Sequence, residues 1–185
     1  MNLANKITVT RFLLIFVFVI LASFPSTFTA DMLHWKIAFI IAIFAGLTDI
    51  LDGYIARKQN TVTTFGKLMD PLTDKIFTVS SFVILVGYNI VPSWIAILIL
   101  AREFAVTGLR SLATDKGDVL AASWLGKLKT GLQMFVLLFG GAIWVGWMTI
   151  PALYWNMLLY AVAALTVYTG IHYYVKARHL YFKGI

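Results

Sequence analysis

Apolar runs follow one another along the chain, separated by short polar segments. Six of them, at about 7–25, 33–57, 67–88, 92–112, 124–147 and 151–175, have the roughly 20 residues that a helix needs to span a bilayer's hydrocarbon core. The apolar residues do not keep to one face. The stretches "FLLIFVFVILASF" (12–24) and "AILILA" (96–101) are apolar all round. Helices of that kind belong in a membrane or in the core of a much larger protein. The pattern predicts an all-α, polytopic membrane protein with six transmembrane helices, folded as a single domain over residues 1–185. The opening "MNLANKITVTRFLLIFVFVILASF" has the outline of a signal peptide. It lacks the small-residue cleavage pattern and runs directly into further apolar spans, so it reads as a retained first span.

The connecting segments give the expected orientation. "PSTFTADMLHW" (25–35), "GYNIVPS" (87–93) and "GWMTIP" (146–151) contain no Lys or Arg. Lys6, Arg11, Arg57, Lys58, Lys67, Arg110, Lys116, Lys127, Lys129, Lys176, Arg178 and Lys183 fall in the alternate segments. By the positive-inside rule, both termini are cytoplasmic in a multi-pass protein of the cell membrane. The same rule accounts for most of the net charge of +7. Its cations sit at helix ends rather than in a stripe, so no nucleic-acid partner is expected. Cysteine is absent, which excludes disulfides and thiolate metal sites.

Against a hydrophobic fraction of 61%, the placing of the acids stands out. Four of the eight acidic residues, Asp49, Asp52, Asp70 and Asp74, lie in the hairpin joining the second and third spans. Three residues apart on a helix, Asp49 and Asp52 share a face about 4.5 Å apart along the axis. Asp70 and Asp74, four apart, share one as well. A hairpin can turn these faces together near the cytoplasmic edge of the membrane. Converging carboxylates repel one another, and their cost near a span is relieved by divalent cations. Oxygen ligands suit two Mg²⁺ or Mn²⁺ ions, the arrangement that runs in-line phosphoryl displacements. The alternative is a polar hairpin end whose acids pair with Arg57, Lys58, Lys67 and Lys75. Gly53 and Ala56, one turn beyond Asp49 and Asp52, leave room for a ligand beside the backbone, and Ala45 and Gly46 extend that small-residue strip. Close helix packing explains such a strip equally well. Pro71 is expected in the first turn of the third span, where its missing N–H costs little.

The spacing D-x-x-D-G-x-x-A-R-x8-G-x-x-x-D-x-x-x-D is met by Asp49, Asp52, Gly53, Ala56, Arg57, Gly66, Asp70 and Asp74. It resembles the signature of the CDP-alcohol phosphotransferase family, homodimeric six-span membrane enzymes that release CMP. The resemblance implies that Asp49, Asp52, Asp70 and Asp74 hold two divalent cations and that Asp74 is also the catalytic base. It implies further that Asp52, Gly53, Ala56, Arg57 and Gly66 bind the CDP moiety.

Three more stretches bear on the acceptor. "AREFAVTGLR" (101–110) sets Arg102 and Glu103 within an apolar span, with Arg110 on roughly the same face as Arg102. "GKLKTGLQ" (126–133) brings Lys127 and Lys129 to a cytoplasmic helix end, and "NKITVTR" (5–11) supplies Thr10 and Arg11. Such a set suits an anionic acceptor, since Arg grips phosphate as a fork. Alternatively, Arg102 pairs with Glu103 and the lysines snorkel to lipid headgroups. These stretches resemble the branch of the family whose donor is CDP-diacylglycerol and whose acceptor is sn-glycerol 3-phosphate. Ala4 stands where that branch usually has proline. The remaining alternatives are an acceptor such as phosphatidylglycerol, serine or inositol phosphate, and, outside enzymes, a divalent-metal transporter. Transporters bind at the membrane midplane between repeated halves, and no repeat is visible here.

Overall fold

A computed structural model describes residues 3–25, 27, 32–59, 64–115, 118 and 124–178. Within these, the side chains of residues 3–7, 49–59, 64, 65, 67, 68, 70 and 115 lie outside the described set. Among the described residues there are six helices and no strand: α1 Leu3–Ser23, α2 Leu33–Gln59, α3 Thr64–Gly87, α4 Ser93–Asp115, α5 Trp124–Trp144 and α6 Ala152–Lys176. They match the six apolar stretches in order and number.

The helix ends follow from local chemistry. Pro25 stops α1, because a residue before proline avoids helical backbone. Pro92 and Pro151 precede α4 and α6, and their carbonyls accept the first amides of those helices: Ile95 N–H at 3.1 Å and Tyr154 N–H at 3.0 Å. After α5, Gly146 takes a left-handed φ of 75°. Its amide bonds the Ile143 carbonyl at 3.1 Å, and Trp147 N–H bonds the Ala142 carbonyl at 2.9 Å. That is a Schellman ending, which glycine enters without a side-chain clash.

One expectation is corrected. Pro71 lies inside α3, because that helix already begins at Thr64. There its ring removes an amide that would have bonded the carbonyl four residues back.

The chain forms two compact units. The first holds α1, α2, α3 and residues 141–147. Here α1 packs on both α2 and α3. Ile15, Phe18 and Ala22 of α1 are buried, as are Ala38, Phe39, Ala42 and Ala45 of α2 and Phe82 and Leu85 of α3. These spacings of three and four residues define the inner stripe of each helix. Gly141 is fitted to this core, since a Cβ there would collide with the Phe39 ring. An aromatic cluster closes one end. Trp35 Nε1 donates to the Phe24 carbonyl at 2.9 Å, and the Tyr88 hydroxyl donates to the Ala22 carbonyl at 2.8 Å. Both acceptors lie at the end of α1, where carbonyls have no helical partner. The Trp35 and Tyr88 rings meet edge to face at 4.6 Å, and Trp144 lies 5.5 Å from each.

The second unit holds α4, the first part of α5, and α6. Here α4 packs on α6. The seam uses Ile95 and Ile99 from α4 and Trp155, Leu159, Val162, Thr166, Thr169 and Tyr173 from α6. Trp155 Nε1 donates to the Ile90 carbonyl at 2.8 Å.

In both units the outer faces are as apolar as the inner ones. Leu13 is 59% exposed, Phe44 59%, Ile97 66% and Leu153 67%. Contiguous apolar surface on this scale fits contact with lipid. Among the described residues, α6 is long and apolar enough to cross a membrane, while Thr8–Ser23 and Leu33–Thr48 are shorter apolar stretches.

Candidate active site

The first unit carries the carboxylate signature. Asp49 and Asp52 belong to α2, and Asp70 and Asp74 to α3. The side chains of Asp49, Asp52, Gly53, Ala56, Arg57 and Asp70 lie outside the described residues. Asp74 is exposed at the helix surface and Gly66 is half-buried. A Cβ on Gly46 would lie 3.9 Å from the Phe77 ring, an ordinary contact between α2 and α3. Asp49 follows Gly46 by three residues and Asp74 precedes Phe77 by three, so each acid lies about one turn from this contact. Next to Asp74, Thr73 is fully buried, and its hydroxyl has no hydrogen-bond partner among the described residues.

The second unit carries a cavity of about 380 Å³ lined by α4, α5 and α6. Arg102, Arg110 and Lys127 line it, together with Glu103, Thr107 and Tyr173. Arg110 and Lys127 are exposed, whereas the Arg102 side chain is only 9% exposed. Arg102 Nη1 lies 3.4 Å from Glu103 Oε2, and the guanidinium carbon sits 5.5 Å from the centroid of the Tyr173 ring. Its Nε and Nη2 are buried and have no hydrogen-bond partner among the described residues. Buried donors are nearly always satisfied, so these two nitrogens are an exception on an arginine that lines the cavity.

Lys129 departs from its expected place. Its side chain is 0% exposed and does not line the cavity. Its Nζ donates to Glu103 Oε2 at 2.8 Å and also to Gln133 Oε1. The reason is helical geometry, which turns residues two apart about 200° from each other. Lys127 can therefore face the cavity only if Lys129 faces inward. Lys129→Met is expected to lower unfolding stability by about 1.5–3 kcal/mol, the worth of a charged hydrogen bond. Thermal unfolding in detergent checks this, and an unchanged midpoint would contradict it.

Thr10 and Arg11 belong to α1 in the first unit; Thr10 is exposed and Arg11 buried. The alternative pairing, Arg102 with Glu103, is present, but it leaves two of the guanidinium's nitrogens, Nε and Nη2, unused among the described residues. Tyr173 is a cavity residue that the sequence does not single out. In "VYTGIHYYVK" it is one tyrosine among several, indistinguishable from the aromatic residues that line membrane interfaces.

A model of the CDP-alcohol phosphatidyltransferase family matches residues 1–171. The chain belongs to this family. It is 43% identical over 144 residues to the CDP-diacylglycerol–glycerol-3-phosphate 3-phosphatidyltransferase of Bacillus subtilis, covering 74% of each chain. It is 37% identical over 183 residues to a protein of the same name from Rickettsia typhi, covering 98% of this chain and 99% of the relative. It is also 36% identical over 185 residues to a probable phosphatidylglycerophosphate synthase of Mycobacterium tuberculosis, covering 95% of this chain and 81% of the relative. The match to the CDP-alcohol phosphatidyltransferase model takes in the whole aspartate hairpin and ends just short of Tyr173.

Proposed function

We propose that this CDP-alcohol phosphatidyltransferase moves the phosphatidyl group of CDP-diacylglycerol to sn-glycerol 3-phosphate, giving phosphatidylglycerophosphate and CMP. The names of relatives that align along nearly its full length support the reaction. The observation that carries the acceptor is the cavity of the second unit. Arg102, Arg110 and Lys127 line it against Glu103, a carboxylate already bonded to Lys129. This surplus of cations suits a phosphomonoester dianion, and Arg offers it a bidentate grip.

In this reading the donor end is the work of α2 and α3. Asp52, Gly53, Ala56, Arg57 and Gly66 hold the CDP moiety. Asp49, Asp52, Asp70 and Asp74 form an all-oxygen donor set, which fits two Mg²⁺ or Mn²⁺ ions. When bound, such ions neutralise the diphosphate and the departing CMP. The Asp74 carboxylate takes the proton of the acceptor's primary hydroxyl. The freed oxygen attacks the phosphorus that bears diacylglycerol, and the bond from that phosphorus to CMP breaks. In the second unit, Arg102, Arg110 and Lys127 are the groups assigned to the acceptor's phosphate; positioning and electrostatics lower the barrier of such transfers. Lys129 contributes by holding Glu103.

All six helices are taken to cross the membrane, with both termini and the site on the cytoplasmic side. The Lys- and Arg-free segments at 25–35, 87–93 and 146–151 support that orientation. The donor's acyl chains then stay in the lipid while the soluble acceptor arrives from the cytoplasm. Two copies form a homodimer, an expectation that rests on the family resemblance.

The acceptor assignment is tested at Arg110. Arg110→Ala is expected to raise KM for glycerol 3-phosphate by roughly ten- to a hundredfold, as for a lost charged hydrogen bond. KM for CDP-diacylglycerol should stay near its starting value. An equal rise for both substrates would contradict the assignment.

A further inference from the structure

We propose that α6 positions the acceptor-binding arginine: Gly170 and Tyr173 fix the stem and the head of Arg102, and so decide which edge of its guanidinium is left for the ligand. The inference rests on the acceptor reading above and adds residues that neither the aspartate signature nor the basic stretches include. Gly170 and Tyr173 are three residues apart on α6 and therefore share a face. A Cβ on Gly170 would lie 3.3 Å from Arg102 Cγ, so a larger residue would push on the arginine's stem. Tyr173 is buried, and its ring lies 5.5 Å from Arg102 Cζ, within reach of a cation–π contact. Glu103 Oε2 takes Nη1 at 3.4 Å.

These contacts leave one part of the guanidinium over. Its stem passes Gly170, its face meets Tyr173 and its Nη1 meets Glu103. Nε and Nη2 remain, and these are the two atoms without partners among the described residues. Together they form one edge of the planar fork, with the two parallel N–H groups that match two oxygens of a phosphate. A long, flexible side chain held this way loses little further freedom on binding. Tyr173 itself lines the cavity, which puts its ring at the site as well as under the cation. The last helix, which carries no chemical signature of its own, thereby acquires a role in acceptor affinity.

The test is a set of steady-state measurements on the full-length protein in detergent, varying glycerol 3-phosphate and CDP-diacylglycerol separately. Tyr173→Leu is expected to raise KM for glycerol 3-phosphate about two- to thirtyfold, the range of a cation–π contact, with kcat and KM for CDP-diacylglycerol little changed. Tyr173→Phe keeps the aromatic face and should restore KM to near the starting value. Gly170→Ala acts on the stem alone, so it should raise the same KM while the thermal midpoint stays close to that of the parent. In the Arg102→Ala background, Tyr173→Leu should add nothing further. If Arg102→Ala itself leaves KM for glycerol 3-phosphate unchanged, the acceptor reading fails, and this inference with it. If Arg102→Ala raises that KM but Gly170→Ala does not, the acceptor reading stands and positioning by α6 is overturned. Positioning is overturned likewise if Tyr173→Leu weakens both substrates alike or is just as harmful without Arg102. Should Tyr173→Leu fail to fold, Gly170→Ala still decides the matter.

Discussion

Asp74→Asn is expected to lower kcat by about 10²–10⁴, the range for a lost general base. Asparagine is close to aspartate in size but cannot accept the acceptor's proton at neutral pH. Asp74 is exposed on α3, so the exchange leaves the buried packing of that helix in place. Binding of CDP-diacylglycerol should persist, because the other three proposed metal ligands, Asp49, Asp52 and Asp70, remain. Raising the pH should rescue little, since an alcohol does not form its alkoxide appreciably in bulk water. Near-normal kcat with a weakened metal requirement would instead make Asp74 a ligand only, with the base elsewhere.

The second large effect is expected at the other three aspartates. Asp49→Asn, Asp52→Asn and Asp70→Asn should each bring turnover below detection, because each removes an anionic oxygen from the set proposed to hold two cations. Circular dichroism and the thermal midpoint in detergent should stay close to those of the parent. A chelator should stop the parent enzyme reversibly, with activity returning on addition of Mg²⁺ or Mn²⁺. Full CMP release by Asp70→Asn in metal-free buffer would rule out the two-metal reading.

The sequence shows the architecture more clearly than it shows the acceptor site. Hydropathy alone locates six helices, because each apolar stretch is too long for a strand and is bounded by polar residues. Prolines and glycines then mark the ends: α1 stops before Pro25, Pro151 caps α6, and Gly146 closes α5. The start of α3 is harder to read. "TVTTFG" is polar and β-branched, so it looks like part of the turn, yet the helix begins at Thr64 and takes Pro71 into its interior. The aspartate hairpin is legible because its residue types are rare in an apolar chain and its spacing is specific.

The acceptor cavity is legible only in part. Arg102, Arg110 and Lys127 stand out as charges in or beside apolar helices, and all three line it. Lys129 carries the same charge and the same sequence context as Lys127, so composition puts them together where the roughly 200° between them on the helix sets them apart. Gly170 and Tyr173 are hidden for another reason. Their effect depends on α6 packing against α4, and no local pattern in either helix encodes that contact.

The central claim is tested most directly by CMP release from the purified full-length protein. CDP-diacylglycerol is supplied with Mg²⁺ or Mn²⁺ and one alcohol at a time: glycerol 3-phosphate, phosphatidylglycerol, serine or inositol phosphate. With glycerol 3-phosphate, CMP is expected together with an equal amount of phosphatidylglycerophosphate, and neither product without the divalent ion. Release that needs one of the other alcohols, or that proceeds equally well with no alcohol present, would contradict the claim.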